Sequence, residues 1–344
     1  MELNYSTFDE TSSTIVPGLP NTTNNAVNTF FIVINFIVGI IGLAGNTIVC
    51  TTVLRSKFLH DITHYLIASL AMSDFLCCLF FTITTMFVAE GHPFPVNISS
   101  GFVGEFYCRL FWNLHLFWSA FFASAFNLVV VTFERYLAIV HPFVYARAFT
   151  VRRGLMLAAS AWTLAFILEL EFPIRCHYNA EINDCDFRGL GAPWFAKMMF
   201  IKSFTVSFVL PLIFLLWAYY KIIKTLRDGA MHQDRQGTGQ QAAEMHRASR
   251  KVVQSLLIIT TLFIILLLPS EMGNVLLLFD VSIDFTGSQI GNIFRTTTVL
   301  NSVVNPMIYA VKYKKFRRAM KATMCPCVKN IVGVEDTTST ADTG

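Results

Sequence analysis

The chain has 344 residues, of which 54% are hydrophobic and only 14% charged, with a formal net charge of +4. Soluble domains carry about 25% charge, so an ordinary cytosolic enzyme, a disordered protein and a disulfide-rich secreted module are excluded. The small net charge gives nucleic acid no reason to bind, and 33 Phe are far more than a small water-facing fold can hide.

Residues 1–29 hold no basic segment followed by an apolar one, so no cleavable signal peptide is expected and the first span serves as anchor. A helix needs about 20 apolar residues to cross a hydrocarbon core of about 30 Å. Seven stretches qualify: Phe30–Leu54, His64–Val88, Phe106–Val140, Leu155–Ile174, Met198–Ile223, Val252–Phe279 and Ile290–Ala310. The seventh carries Asn292, Arg295, Asn301, Ser302 and Asn305. Those side chains suit a membrane only where they face a bundle interior or a water-filled cavity. The expected fold class is an all-α membrane protein, a seven-transmembrane helix bundle with a short amphipathic cytoplasmic eighth helix. The expected boundaries are an extracellular glycosylated N-terminus over 1–29, the bundle over 30–310, the eighth helix over 311–324 and a disordered tail over 325–344. No internal repeat is present.

Charge sets the orientation. Residues 1–29 and the 89–105 connection contain no Lys or Arg. The opposite connections carry Arg55 and Lys57, then Arg147, Arg152 and Arg153, then a run from Lys221 to Lys251, and the tail adds seven more from Lys312 to Lys329. Positive-inside bias places the N-terminus outside and the tail in the cytoplasm. The glycosylation triplets at Asn4, Asn21 and Asn97 all fall on the outer side.

Of eight cysteines, Cys50, Cys77 and Cys78 lie inside apolar spans and read as small core residues. Cys108, at the outer end of span three, and Cys185, before span five, both face the oxidising side and are expected to be bonded, with Cys176 as the competing partner. Cys325 and Cys327 follow a basic segment just inside the membrane, where they are either palmitoylated or free thiols in the tail.

Motifs mark the spans in order. Gly45-Asn46 stands in span one, Leu70-Ala71-Met72-Ser73-Asp74 in span two and Glu134-Arg135-Tyr136 at the end of span three. Trp162, Pro211 and Pro269 mark spans four to six, and Asn305-Pro306-Met307-Ile308-Tyr309 closes span seven. With these marks the chain resembles a rhodopsin-like G-protein-coupled receptor of the peptide-receptor type over about residues 30–320. The resemblance implies a plasma-membrane receptor with no enzymatic activity and no cofactor beyond an allosteric sodium ion. Its implied partners are an extracellular ligand, a heterotrimeric G protein, arrestin, receptor kinases and membrane lipids. In such receptors span six swings outward, Arg135 meets the G protein, and Tyr219 and Tyr309 move toward it; in the resting bundle Arg135 is expected to pair with Glu134, half-exposed at the cytoplasmic boundary where span three ends.

Asp74 is a lone carboxylate near mid-membrane that must be partnered or protonated. Asn46, Ser124, Asn301, Ser302 and Asn305 can supply oxygens around it. Two readings stand: the sodium site that the resemblance implies, and a hydrogen-bond network without an ion. Pro211, Pro269 and Pro306 interrupt helical hydrogen bonding and kink their helices. By the resemblance, Pro211, Ala125 and Phe263 form a packing switch.

The chain departs from the family pattern at Leu267, where a Trp is usual, and at Ala125, which is smaller than the usual aliphatic residue. Ser249 and Arg250 stand where some relatives place an acid to hold Arg135. Cys108 precedes Arg135 by 27 residues, two more than the family spacing, so a displaced top of span three is expected. Val299 replaces the retinal-linking Lys of opsins, and Phe117 replaces the amine-binding Asp of amine receptors. Phe117, Glu271 and Arg295 are the expected ligand-pocket residues, with Glu271 and Arg295 either contacting ligand or pairing with each other. A hairpin lid over Cys176–Phe187 and its charges point to a peptide, with a small non-peptide ligand as the alternative. Thr337, Thr338, Ser339, Thr340 and Thr343 lie among acids as kinase and arrestin sites.

A transporter or channel is the main reading of another class. It predicts paired repeats and a continuous polar path, and midplane polar residues occur only in spans two, three and seven. No Gly-x-Ser-x-Gly or His-Glu-x-x-His occurs to support an intramembrane enzyme.

Overall fold

The computed structural model describes residues 22–87, 101–187, 193–236, 240–279, 289–312 and 314–324. Long apolar runs become helices because lipid offers no partner for a backbone N–H or C=O. In chain order the main helices are α1 (Thr22–Arg55), α2 (Ile62–Phe87), α3 (Phe102–Tyr107), α4 (His115–Val140), α5 (Pro142–Ala148) and α6 (Val151–Glu169). Then come α7 (Glu171–Arg175), α8 (Pro193–Ser203), α9 (Leu210–Gln236), α10 (Gln240–Leu278), α11 (Gln289–Lys312) and α12 (Lys314–Met324).

Six segments are long and apolar enough to cross a membrane by length and composition. The seventh span, α11, is not among them, although its 24 residues reach about 36 Å. Its polar residues explain this: Asn292, Thr298, Asn301, Ser302 and Asn305 are buried, while Ile290, Ile293, Met307 and Val311 are exposed. The helix turns its polar side into the bundle and its apolar side outward, the arrangement that the sequence requires of it.

Span three does not run unbroken. A π-helical turn occupies Cys108–Trp112, and Leu114 takes a left-handed conformation at φ 59 before α4 begins. Asn113 Oδ1 accepts from the His115 backbone N–H at 2.9 Å and closes the break. This break lies within the long Cys108–Arg135 segment. A second π turn, Phe204–Val209, precedes Pro211 and accommodates the proline's missing N–H.

Packing between spans uses small residues and polar ties. A Cβ on Gly42 would lie 2.3 Å from Cys78 Sγ, so only glycine lets α1 approach α2 this closely. Trp162 Nε1 donates to Ser69 Oγ at 3.1 Å, and Ser69 Oγ donates to Asn127 Oδ1 at 2.7 Å, tying α6, α2 and α4. Leu66, Leu70, Phe121, Phe122, Leu128, Leu215, Phe263 and Leu267 fill the core. Beyond α11, α12 buries Phe316 and Ala319 and exposes Arg317, Arg318 and Lys321, as an amphipathic helix should.

The connection between spans four and five forms a hairpin. β1 (Cys176–Asn179) pairs antiparallel with β2 (Asp184–Phe187), with Tyr178 opposite Cys185. Cys108 is bonded to Cys185 and Cys176 is a free thiol, so the hairpin is tied to the top of span three.

Candidate functional site

At the inner end of α4, Glu134 is wholly buried and forms a compact knot. Its Oε1 accepts from Thr63 Oγ1 at 3.1 Å and from Tyr145 OH at 2.7 Å. Arg135 donates to both Glu134 carboxylate oxygens and to Thr63 Oγ1. The sequence places this pair at a half-exposed boundary. The structure corrects that: the Glu134 side chain is 0% exposed and that of Arg135 18%. Thr63 of α2 and Tyr145 of α5 close over the pair. Burial raises the Tyr145 phenol above its ordinary range, and the Glu134 carboxylate that accepts its proton pushes in the same direction. Beside them Asp61 caps α2 by accepting from the His64 backbone N–H at 3.0 Å. Burial pulls the Asp61 carboxyl up, but its bonds with His64 outweigh it and leave the group below the usual carboxylate range.

The same end of the bundle is closed by a second tie. Tyr219 of α9 is buried, its hydroxyl accepts from Thr260 Oγ1 of α10 at 3.1 Å, and it lies 3.2 Å from Thr132 Oγ1 of α4. One phenol thus joins three helices. Tyr136 packs its ring 4.8 Å from that of Trp217, and its hydroxyl lies 3.1 Å from His141 Nε2. Tyr309 is buried against Phe316, ring centroids 6.1 Å apart.

Higher in the bundle, Phe263 stacks on Phe208 at 6.2 Å and 20°, with Leu267 and Ala125 buried. Pro269 interrupts α10 and Pro306 interrupts α11. Asp74 is fully buried in the middle of α2. Ser124 Oγ donates to its Oδ1 at 2.6 Å, and Asn305 Nδ2 donates to its Oδ2 at 2.7 Å. Asn46 Nδ2 donates to the Ser302 carbonyl at 3.0 Å. Asn46 Oδ1 is buried without a hydrogen-bond partner, the Ser302 hydroxyl bears on the Asp74 carboxylate, and Asn301 is buried on the same helix as Ser302. A carboxylate ringed by hydroxyl and amide oxygens, one of them unsatisfied, is a donor set suited to a hard cation.

Toward the outer end, Phe117 is buried against Phe81 and Trp118, with ring centroids at 5.9 and 5.0 Å. Glu271 is buried in α10, and half-buried Arg295 of α11 donates to Asn292 Oδ1 at 2.7 Å. Thr296 Oγ1 donates to Asn35 Oδ1 at 2.7 Å and joins α11 to α1.

One constellation escapes the sequence reading. Lys202 Nζ of α8 donates to the Leu168 carbonyl at 2.7 Å, to Glu169 Oε1 at 3.3 Å and to Glu171 Oε1. It also lies 5.6 Å from the Phe172 ring. His115 Nδ1 pairs with the Glu169 carbonyl at 3.0 Å, so spans three, four and five meet here. The available signal was charge inside apolar runs, which demands a partner. Asn4, Asn21, Asn97, Cys325, Cys327, the tail hydroxyls and the side chains of Ser249 and Arg250 lie outside the described residues.

The profile of the 7 transmembrane receptor (rhodopsin family) matches residues 45–309. Somatostatin receptor type 2 of Sus scrofa is 28% identical, covering 97% of this chain and 86% of its own. Adenosine receptor A2b of Gallus gallus is 29% identical, covering 85% and 87%. Neuromedin-U receptor 2 of Mus musculus is 27% identical, covering 86% and 75%.

Proposed function

The chain belongs to the rhodopsin family of seven-transmembrane receptors, and from that premise we propose that it is a plasma-membrane receptor for an extracellular peptide that activates heterotrimeric G proteins. The observation that carries the reading is the knot at Arg135. A guanidinium with five donors is held against Glu134 and Thr63 at the cytoplasmic mouth. The Tyr219 bridge keeps α9 and α10 against α4. A helix end from a G protein needs both to open, and a kinked α10 can pivot at Pro269. Ligand binding at the outer end then shifts a two-state equilibrium toward the open form.

The ligand class rests on two supports. Relatives named for somatostatin and neuromedin U match most of the chain. The hairpin and the half-exposed Glu105–Arg109 pair, 2.7 Å apart, put charge at this end of the bundle. Phe117, Glu271 and Arg295 line the proposed pocket below it. The N-terminus faces outward with Asn4, Asn21 and Asn97 glycosylated, and the tail is cytoplasmic. There α12 lies on the lipid surface, Cys325 and Cys327 carry palmitate, and the tail hydroxyls serve receptor kinases and arrestin.

Asp74, Ser124, Asn301, Ser302 and Asn305 would hold a sodium ion, with Asn46 Oδ1 as a further oxygen. That ion would neutralise a buried charge in the closed bundle and favour the resting state. Pro211, Ala125 and Phe263 form the packing switch, with Leu267 as its floor.

The test is a library of peptides and nucleosides applied to transfected cells, with G-protein activation and ion flux read together. A peptide that raises nucleotide exchange without flux supports the reading. Flux without exchange overturns it, and a nucleoside hit moves the ligand to the small non-peptide class, as the adenosine-receptor relative suggests.

A further inference from the structure

Three cysteines meet in one buried cluster at the outer end of span three. Cys108, Cys176 and Cys185 pack together, backed by Tyr107, Trp112 and Tyr178. Cys108 and Cys185 are bonded, and among the described residues Cys176 is the one free cysteine outside the apolar spans. The hairpin register explains why the third sulfur is here. Tyr178 faces Cys185, and Cys176 faces Phe187. Side chains alternate along a strand, so Cys176 and Cys185 project from the same face as diagonal neighbours, about 7 Å apart. That face is the one that meets Cys108. A small shift of the hairpin brings either sulfur to Cys108, since a disulfide tolerates Cα separations of about 4.4–6.8 Å.

We propose that Cys176 is an exchange thiol for the Cys108–Cys185 bond, so that the hairpin can be tied to span three through either of its strands. The Cys176 thiol gives its proton to water, and its sulfur attacks Cys108 Sγ. The Cys108–Cys176 bond forms as the Cys108–Cys185 bond breaks, and Cys185 leaves as a thiolate that takes a proton from water. One disulfide and one thiol stand on each side, so no oxidant is consumed. The tether moves from β2 to β1, next to α7, and the turn and β2 come free of span three. This goes beyond the receptor reading and stands whether or not the ligand is a peptide.

Burial governs the rate. It pushes the Cys176 thiol up to about 11, against the pull of nearby Arg109. Only the thiolate attacks, so exchange is slow at neutral pH and the two bonded forms persist once made. Its rate should rise about tenfold per pH unit below that value.

The experiment uses the purified full-length chain in lipid nanodiscs, incubated at about pH 7 or about pH 9. Samples are quenched in acid, alkylated with N-ethylmaleimide and mapped for linked peptides by mass spectrometry. The expected result is a Cys108–Cys176 link that appears about a hundredfold faster at the higher pH, at a rate independent of protein concentration, and never in Cys176→Ser. Finding only Cys108–Cys185 after the alkaline incubation overturns the proposal. Cys185→Ser gives a second arm: at the cell surface it should carry the Cys108–Cys176 bond, and a folded variant with both sulfurs reduced overturns it. If that variant fails to reach the surface, the pH series on the unsubstituted chain still decides.

Discussion

Replacing Glu134 by Gln keeps the shape of the buried knot and removes its charge. Glu134 Oε1 takes three donors, from Thr63, Tyr145 and Arg135, and Oε2 takes Arg135 Nε. The Gln oxygen can still accept from Thr63 and Tyr145, so the loss falls on Arg135. Hydrogen bonds to a charged group contribute about 1.5–3 kcal/mol and neutral ones about 0.5–1.5. The difference, about 1.5 kcal/mol, is about tenfold in the resting-to-open ratio. A half-exposed pair, as the sequence suggests, would give under about 1 kcal/mol and a few-fold at most. Burial of Glu134 at 0% exposure is what raises the figure. The assay is basal nucleotide exchange on purified G protein by receptor in nanodiscs at equal concentration. Tyr145→Phe removes one donor to the charged carboxylate and should raise basal exchange by a comparable factor, about tenfold. Basal exchange by Glu134→Gln equal to that of the unsubstituted receptor would refute the lock.

Sodium chloride in place of choline chloride should raise the melting temperature of the receptor, because a ligand that binds only the folded state stabilises it; Asp74→Asn should erase the difference, and an unchanged sodium effect removes the ion site. Lys202→Met leaves buried Glu169 without its cation and should cost about 2–3 kcal/mol, below the usual figure for a broken buried pair because Lys202 is 23% exposed; adding Glu169→Gln should restore more than half of the lost melting temperature, and no restoration rejects the ion triad. At Leu114, Gly should be more stable than Ala by about 1 kcal/mol, because both lose the side chain but only Gly accepts a positive φ without strain; Ala above Gly in a thermal melt would mean that the left-handed break is absent.

Hydropathy made six of the seven spans legible, because lipid leaves a long apolar run few alternatives to helix. The seventh was legible by a different argument: Asn292, Asn301, Ser302 and Asn305 had to face inward, and they do. The Cys108–Cys185 bond and the hairpin over Cys176–Phe187 also agree with expectation. The break in span three lies within the long Cys108–Arg135 segment. No Gly or Pro marks it, because Leu114 adopts the left-handed turn at a cost that surrounding packing over-determines. Thr63 and Tyr145 were illegible as partners of Glu134. They come from two other helices, 71 and 11 residues away, and no local pattern announces either contact. The Lys202 triad was missed for the same reason, although its unpaired charges inside apolar runs were visible.

The central claim is that Arg135, once released, is the contact through which this receptor acts on a G protein. Nucleotide exchange by Arg135→Ala in nanodiscs, at matched concentration and with a melting temperature near that of the unsubstituted receptor, tests it most directly. The account predicts exchange at the level of receptor-free nanodiscs from a folded variant, and full exchange by Arg135→Ala would contradict it.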